Sequence, residues 1–153
     1  MSKLIQCCCT LLIVLAGRYG FTADLETEFI NSNAAFSQVA SVHSNGVKTI
    51  YVSGQVGIRD GEIPNSFIEQ IDVVFSNIAG QLEAAGATMS DVIKLTGFIV
   101  DMNAERRTVY SEVRASYFSG QSQPPASTLI GVSGLVDPNL LVEVEAIAVI
   151  EMD

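Results

Sequence analysis

Residues 141–151 read "LVEVEAIAVIE", a short alternating run rich in Val and Ile that fits a β-strand and little else. Val142, Val144, Ala146, Ala148 and Ile150 fall on one face, wholly apolar and therefore core. Leu141, Glu143, Glu145, Ile147, Val149 and Glu151 fall on the other. That second face sets two carboxylates among branched apolar side chains. It raises the question of what Glu143 and Glu145 face: water, a subunit interface or a substrate.

Other segments supply what the strand packs with. "FSQVASVHS" (Phe36 to Ser44) and "VKTIYVSGQV" (Val47 to Val56) alternate around Asn45-Gly46, a hairpin turn signal. Asp60-Gly61 marks a further turn. Ser66, with Glu69 three residues on, has the spacing of a capping box. Phe67, Ile71, Val74, Phe75, Ile78 and Leu82 then recur at helical spacing until Gly86. "DVIKLTGFIV" (Asp91 to Val100) is the next strand, and Asn103 caps a second helix with Val109, Tyr110, Val113 and Tyr117 on one face. Pro124-Pro125 lead into "STLIGVSGL" (Ser127 to Leu135) and the final strand. The order is β-β-α-β-α-β-β. It predicts an α+β sandwich, one mixed sheet with two helices on one face. The other face, half apolar, is then expected to be buried against further copies of the chain.

Charge and cysteine usage exclude several functions. With 8 basic and 17 acidic residues the net charge is −9, the wrong sign for a nucleic-acid binder or for docking on anionic lipid. Cys7, Cys8 and Cys9 are the only cysteines and all lie in "MSKLIQCCCTLLIVLAG". One Lys followed by an uncharged run from Leu4 to Ala16 matches a secretory signal, and the run is shorter than the roughly 20 residues of a membrane span. An uncleaved anchor or a misplaced start are the alternatives. Taken as a signal, residues 1–23 are removed, 24–153 form a single domain without stable membrane association, and the protein is exported, periplasmic or secreted; otherwise it is cytoplasmic. The exported chain has no thiol nucleophile and no Cys metal site. His43 is the single histidine, placed beside the Asn45-Gly46 turn, which makes a transition-metal site improbable and predicts an exposed turn residue.

"FSQV", "YVSGQVG", "LEAAGATMSDVIKLTGFIVDMN", "PPAS" and "LVEVEAIAV" resemble the Rid family of imine/enamine deaminases (YjgF/YER057c/UK114 proteins) in order and spacing, over roughly residues 29 to 151. The resemblance implies a chorismate-mutase-like fold and a homotrimer whose open sheet faces close into a barrel. It further implies a small-molecule cleft at each subunit junction and hydrolysis of reactive enamines and imines to 2-oxo acids and ammonia, without cofactor or metal. Carried over by position, the family's S-G-Q serine is Ser53, followed by Gly54 and Gln55, and its water-positioning glutamate is Glu143. The family's early tyrosine is Phe36 here, and its helix asparagine corresponds to Ser111 across a small gap. The arginine that grips the substrate carboxylate is replaced by Ser127. A guanidinium offers a bidentate, charged fork and a serine one weak hydrogen bond. A charge-assisted contact is worth about 1.5–3 kcal/mol, so affinity for 2-imino acids is expected to fall. Arg59 and Arg114 are the candidates to replace it from another direction. The residues thus support two functions: deaminase-type hydrolysis with Glu143 as base, or a non-catalytic small-molecule-binding or chaperone-like trimer.

Overall fold

The structure, a computed structural model, describes residues 25–152. The apolar N-terminal segment read as a signal lies outside the described residues. In chain order the elements are β1 (Glu26–Ser32), β2 (Ser37–Ser44), β3 (Val47–Val56), α1 (Phe67–Ala84), a 3-10 turn (Met89–Asp91), β4 (Val92–Val100), α2 (Ala104–Tyr117), β5 (Ala126–Val132) and β6 (Val142–Glu151). The expected order lacked the first strand. "ETEFINS" carries two glutamates and is mostly exposed, with Ile30 its one side chain packed on the core. Such an edge strand is defined by its partner, since β1 is held by antiparallel pairing to β2 rather than by an apolar pattern of its own.

The six strands form one sheet in the order β1-β2-β3-β6-β4-β5, antiparallel throughout except for the parallel β4–β5 pair. β6 lies inside the sheet, pairing with β3 on one side and β4 on the other. Val142, Val144, Ala146 and Ala148 are buried, as their alternation requires. Both helices cover that face. From α1, Ile71, Val74, Phe75, Ile78 and Leu82 are fully buried, each contributing about 1.5–3 kcal/mol.

Local signals mostly act as read, with instructive differences. Asn45 and Gly46 both take positive φ (52° and 76°), the two-residue turn that matches strand twist. Ser66 caps α1 by accepting from the Glu69 N–H at 3.3 Å, but the Glu69 carboxylate takes the Ser66 hydroxyl at 2.7 Å instead of closing the box on the backbone. Phe36 belongs to the turn before β2 and not to the strand, because the Asn33 side chain accepts from the Ala35 and Phe36 N–H groups. β5 ends at Val132 rather than Leu135. Gln70, polar and invisible to an apolar pattern, is 1% exposed. Its amide donates to the Pro64 and Asn139 carbonyls and accepts from the Leu141 N–H, which clips α1 to the start of β6.

One buried group is unsatisfied. Tyr110 of α2 is 1% exposed and its hydroxyl has no hydrogen-bond partner among the described residues. Burial pushes that phenol up to about 12. The ring reaches the sheet over Gly97, where an added Cβ would stand 2.9 Å from the Tyr110 hydroxyl. An unmet buried polar group costs about 1–3 kcal/mol. Tyr110→Phe keeps the ring and removes that cost, so urea unfolding should show a gain of about 1 kcal/mol. A loss of stability would mean that the hydroxyl has a partner.

Candidate functional site

Glu143 and Glu145 project from β6 on the face away from the helices. Glu143 is in register with Val56 of β3 and Phe98 of β4, so apolar side chains flank it on both sides. Glu145 is in register with Thr96 on the β4 side. On the β3 side the pairing slips. Val52 pairs with Ala146 and Gln55 with Val144, which leaves Ser53 and Gly54 together opposite Glu145. This is a β-bulge, a device that bends a strand and re-aims side chains.

The bulge makes room for the carboxylate. An ideal Cβ on Gly54 would lie 1.8 Å from Glu143 Oε1 and 2.8 Å from its Cδ. The Glu143 carboxylate therefore occupies the space that any side chain at position 54 would fill. Its proton affinity is raised, first because burial disfavours the charge and second because the Glu145 carboxylate repels it. Ser53 donates to the Ser37 carbonyl at 2.7 Å, which leaves its oxygen free to accept from a ligand. Gln55 is 5% exposed and donates to Gln38 Oε1 and the Ser53 carbonyl. Phe36, 51% exposed, directly precedes the residue that receives the Ser53 bond. Four expected residues, Phe36, Ser53, Gly54 and Glu143, thus belong to one neighbourhood built from the β2 entry, the β3 bulge and β6.

The other two do not join them within one chain. Ser127 of the preceding strand is expected near Glu143 in a cleft between two subunits, which one chain does not contain. β5 is two strands from β6, and Glu143 is level with Phe98 and, through it, with Ile130. Ser127 lies three residues from Ile130, about 10 Å along the strand. Three is odd, so Ser127 points to the opposite face, the one it shares with Leu95. Ser111 sits in the helix layer, its hydroxyl bonded to the Arg107 carbonyl at 2.8 Å. Arg59 and Arg114 also lie on the helix side, Arg59 in a loop beside α1 and Arg114 on α2. The cation on the glutamate face is one the sequence reading passed over. Lys94 of β4 is in register with Ile147, and its ammonium donates to the Thr128 hydroxyl. The alternation of "DVIKLTGFIV" already assigns Lys94 to the face of Thr96 and Phe98.

His43 is not the exposed turn residue expected. It is on β2, with Nε2 3.2 Å from Ser41 Oγ and 3.7 Å from Glu28 Oε2. Serine, histidine and acid do meet, but both contacts use the same ring nitrogen, whereas a relay needs the acid on one nitrogen and the serine on the other. Ser41 is also 1% exposed and out of a substrate's reach. The cluster is structural: Lys48 donates to Glu28 and to the Ala85 carbonyl, tying β1 and the end of α1 to β3. Lys48 holds the Glu28 carboxyl below its ordinary value. Among the described residues, no three His, Cys, Asp or Glu side chains come together as a metal site.

A groove of about 930 Å³ lies elsewhere, on the helix side, bordered by Arg59, Ile63, Ile68, Asp72 and Val113. It is wide and shallow, and it contains none of the residues gathered around Glu143. The carboxylate above Gly54 is on a sheet face that one chain leaves open. A pocket there needs a second wall.

Comparison with known proteins gives this geometry a context. The family model described as Endoribonuclease L-PSP matches residues 12–150. A RutC family protein of Aquifex aeolicus is 34% identical over 116 residues, covering 74% of this chain and 87% of the relative. A 2-iminobutanoate/2-iminopropanoate deaminase of Dermatophagoides farinae is 38% identical over 106 residues, covering 67% and 79%. The crystal structure of a protein of unknown function of the conserved Rid protein family, YyfA from Yersinia pestis, superposes with a TM-score of 0.70 at 30% identity, covering 82% of this chain and all of that one. With the six-stranded sheet, the two helices and the S-G-Q bulge in front of Glu143, these matches show that the chain belongs to the Rid (YjgF/YER057c/UK114) family.

Proposed function

We propose that this protein hydrolyses the carbon–nitrogen double bond of a small imine or enamine, with Glu143 as the base that orients and deprotonates water. The observation that carries this reading is the Glu143 carboxylate held over Gly54, half-buried, between Val56 and Phe98. An enamine first tautomerises to the imine. Water then adds to the imine carbon with one of its protons passing to nitrogen, and the second proton moves from the new hydroxyl to nitrogen as the tetrahedral adduct expels ammonia and leaves a carbonyl. The raised proton affinity of Glu143 suits it to accept a proton and return it. Relatives named as 2-iminobutanoate/2-iminopropanoate deaminases support the reaction class. The net charge of −9 favours a small molecule over RNA.

The second wall of the site comes, in this reading, from another copy in a homotrimer. Tyr51 and Ile130, 46% and 41% exposed, lie with Ile147 and Val149 on the open face, an apolar surface suited to burial. A neighbouring copy is also what would bring a Ser127 or Ser111 toward Glu143. Because Ser127 stands where the carboxylate-gripping arginine is expected, the favoured substrates are imines of neutral rather than acidic character. The same substitution supports the second reading, a trimer that binds small molecules without turning them over.

One set of measurements separates the two. Light scattering should give about three times the chain mass. Ammonia should be released from freshly generated imines that carry no carboxylate, faster than from 2-imino acids. A trimer that releases no ammonia from any of them is the binding protein, and a stable monomer removes the cleft altogether.

A further inference from the structure

We propose that Glu145 is a positioning residue for Glu143: standing two residues along β6 on the same face, its carboxylate governs how Glu143 exchanges a proton with the attacking water. The inference deepens the hydrolase reading and rests on Glu143 being the base.

The geometry begins with the bulge. Ser53 and Gly54 together oppose Glu145. The Glu143 carboxylate stands over Gly54. Glu143 therefore leans from its own level, that of Val56 and Phe98, toward the level of Glu145. Two residues along a strand are about 7 Å apart at the backbone, and this lean carries the Glu143 carboxylate toward the level from which Glu145 projects. The cation within reach does not neutralise the pair. Lys94 shares the face, but its ammonium is turned to Thr128 on β5, and no ion pair joins it to either glutamate. Tyr51 is the titratable group that β3 sets on this face. β5 contributes none, and Glu151 is at the far end of β6.

The chemistry needs such a neighbour. One group must take a proton from the attacking water and then give it to the departing amine. An ordinary carboxylate is too weak a base at neutral pH to do the first well. A like charge beside it stabilises the protonated form and moves the exchange toward the working pH. Repulsion by Glu145 is the second cause of the raised proton affinity of Glu143, after burial, which agrees with this placement.

The test uses the full-length protein, with Glu145→Gln and Glu145→Asp beside the wild type. The Glu143 carboxyl is followed by carbon NMR of glutamate-labelled protein, assigned by its loss in Glu143→Gln. Its pH–rate profile is measured on a neutral imine. In Glu145→Gln the Glu143 titration and the acid limb of kcat should both move to lower pH. At neutral pH kcat should fall several-fold, with KM unchanged, and Glu145→Asp should restore all three. An unmoved Glu143 titration, or a kcat limb that stays put while the titration moves, overturns the proposal. A titration that moves in a wild type that turns over no imine keeps the carboxylate pair and removes the hydrolase reading instead.

Discussion

Glu143→Gln should abolish most turnover while leaving the fold as stable as before or more so. The replacement is nearly isosteric, and it exchanges an oxygen that takes a proton for an amide that cannot. General base catalysis is worth roughly 10²–10⁴-fold, and kcat on a neutral imine should fall by that factor with the assembly intact. The stability side follows from the same environment. Burial and Glu145 raise the proton affinity of Glu143 in the folded chain, so between its unfolded and folded titration points the native state holds the proton more tightly. Its contribution to stability is therefore present at low pH and is lost as pH rises through the folded value. Gln carries no such penalty. Denaturation of the variant should lose the part of the pH dependence just above the ordinary carboxylate range, with neutral-pH stability unchanged or higher. A variant with wild-type kcat would make Glu143 structural and return the binding reading.

The second large effect is expected from the smallest side chain. Gly54→Ala places a methyl 1.8 Å from Glu143 Oε1 and 3.0 Å from its Cγ. The atoms it meets are the end of a flexible side chain rather than backbone, so the strand accepts the methyl and the carboxylate swings away. The backbone at Gly54 is not in the left-handed region; the positive-φ glycines of the described chain are Gly46, Gly61 and Gly86. Alanine is therefore conformationally tolerated, and the melting temperature should move little. Catalysis should not tolerate it. Displacing a reacting group by about 1 Å can cost 10²-fold, and kcat should fall by about that much. Gly54→Ala with full activity would show that Glu143 works from another rotamer.

What the sequence revealed and what it concealed both have physical causes. Apolar periodicity reports burial, so β6, β3, β4 and the inner face of α1 could be read from it directly. β1 could not, because its hydrogen bonds are its reason for being extended and hydrogen bonds leave no pattern in residue types. Gln70 escaped for the same reason. Within the site, Glu143 was visible as a charge out of place. Gly54 was visible only as the middle of S-G-Q, and its role as vacant space depends on a register slip that alternation alone does not predict. Ser127 was placed by its match to a family position, and in one chain β4 intervenes between its strand and that of Glu143.

The slip in β3 also divides the work of one strand. Val52 before it and Gln55 after it are both buried, at 3% and 5%, so the inner surface continues across the extra residue. Ser53 and Gly54 are lifted out of that continuity. Changes at those two positions alter what stands beside Glu143 without reaching the packed layer beneath. A lineage built on this sheet can exchange one ligand chemistry for another by drifting at two sites, and its thermodynamic foundation need not be renegotiated each time.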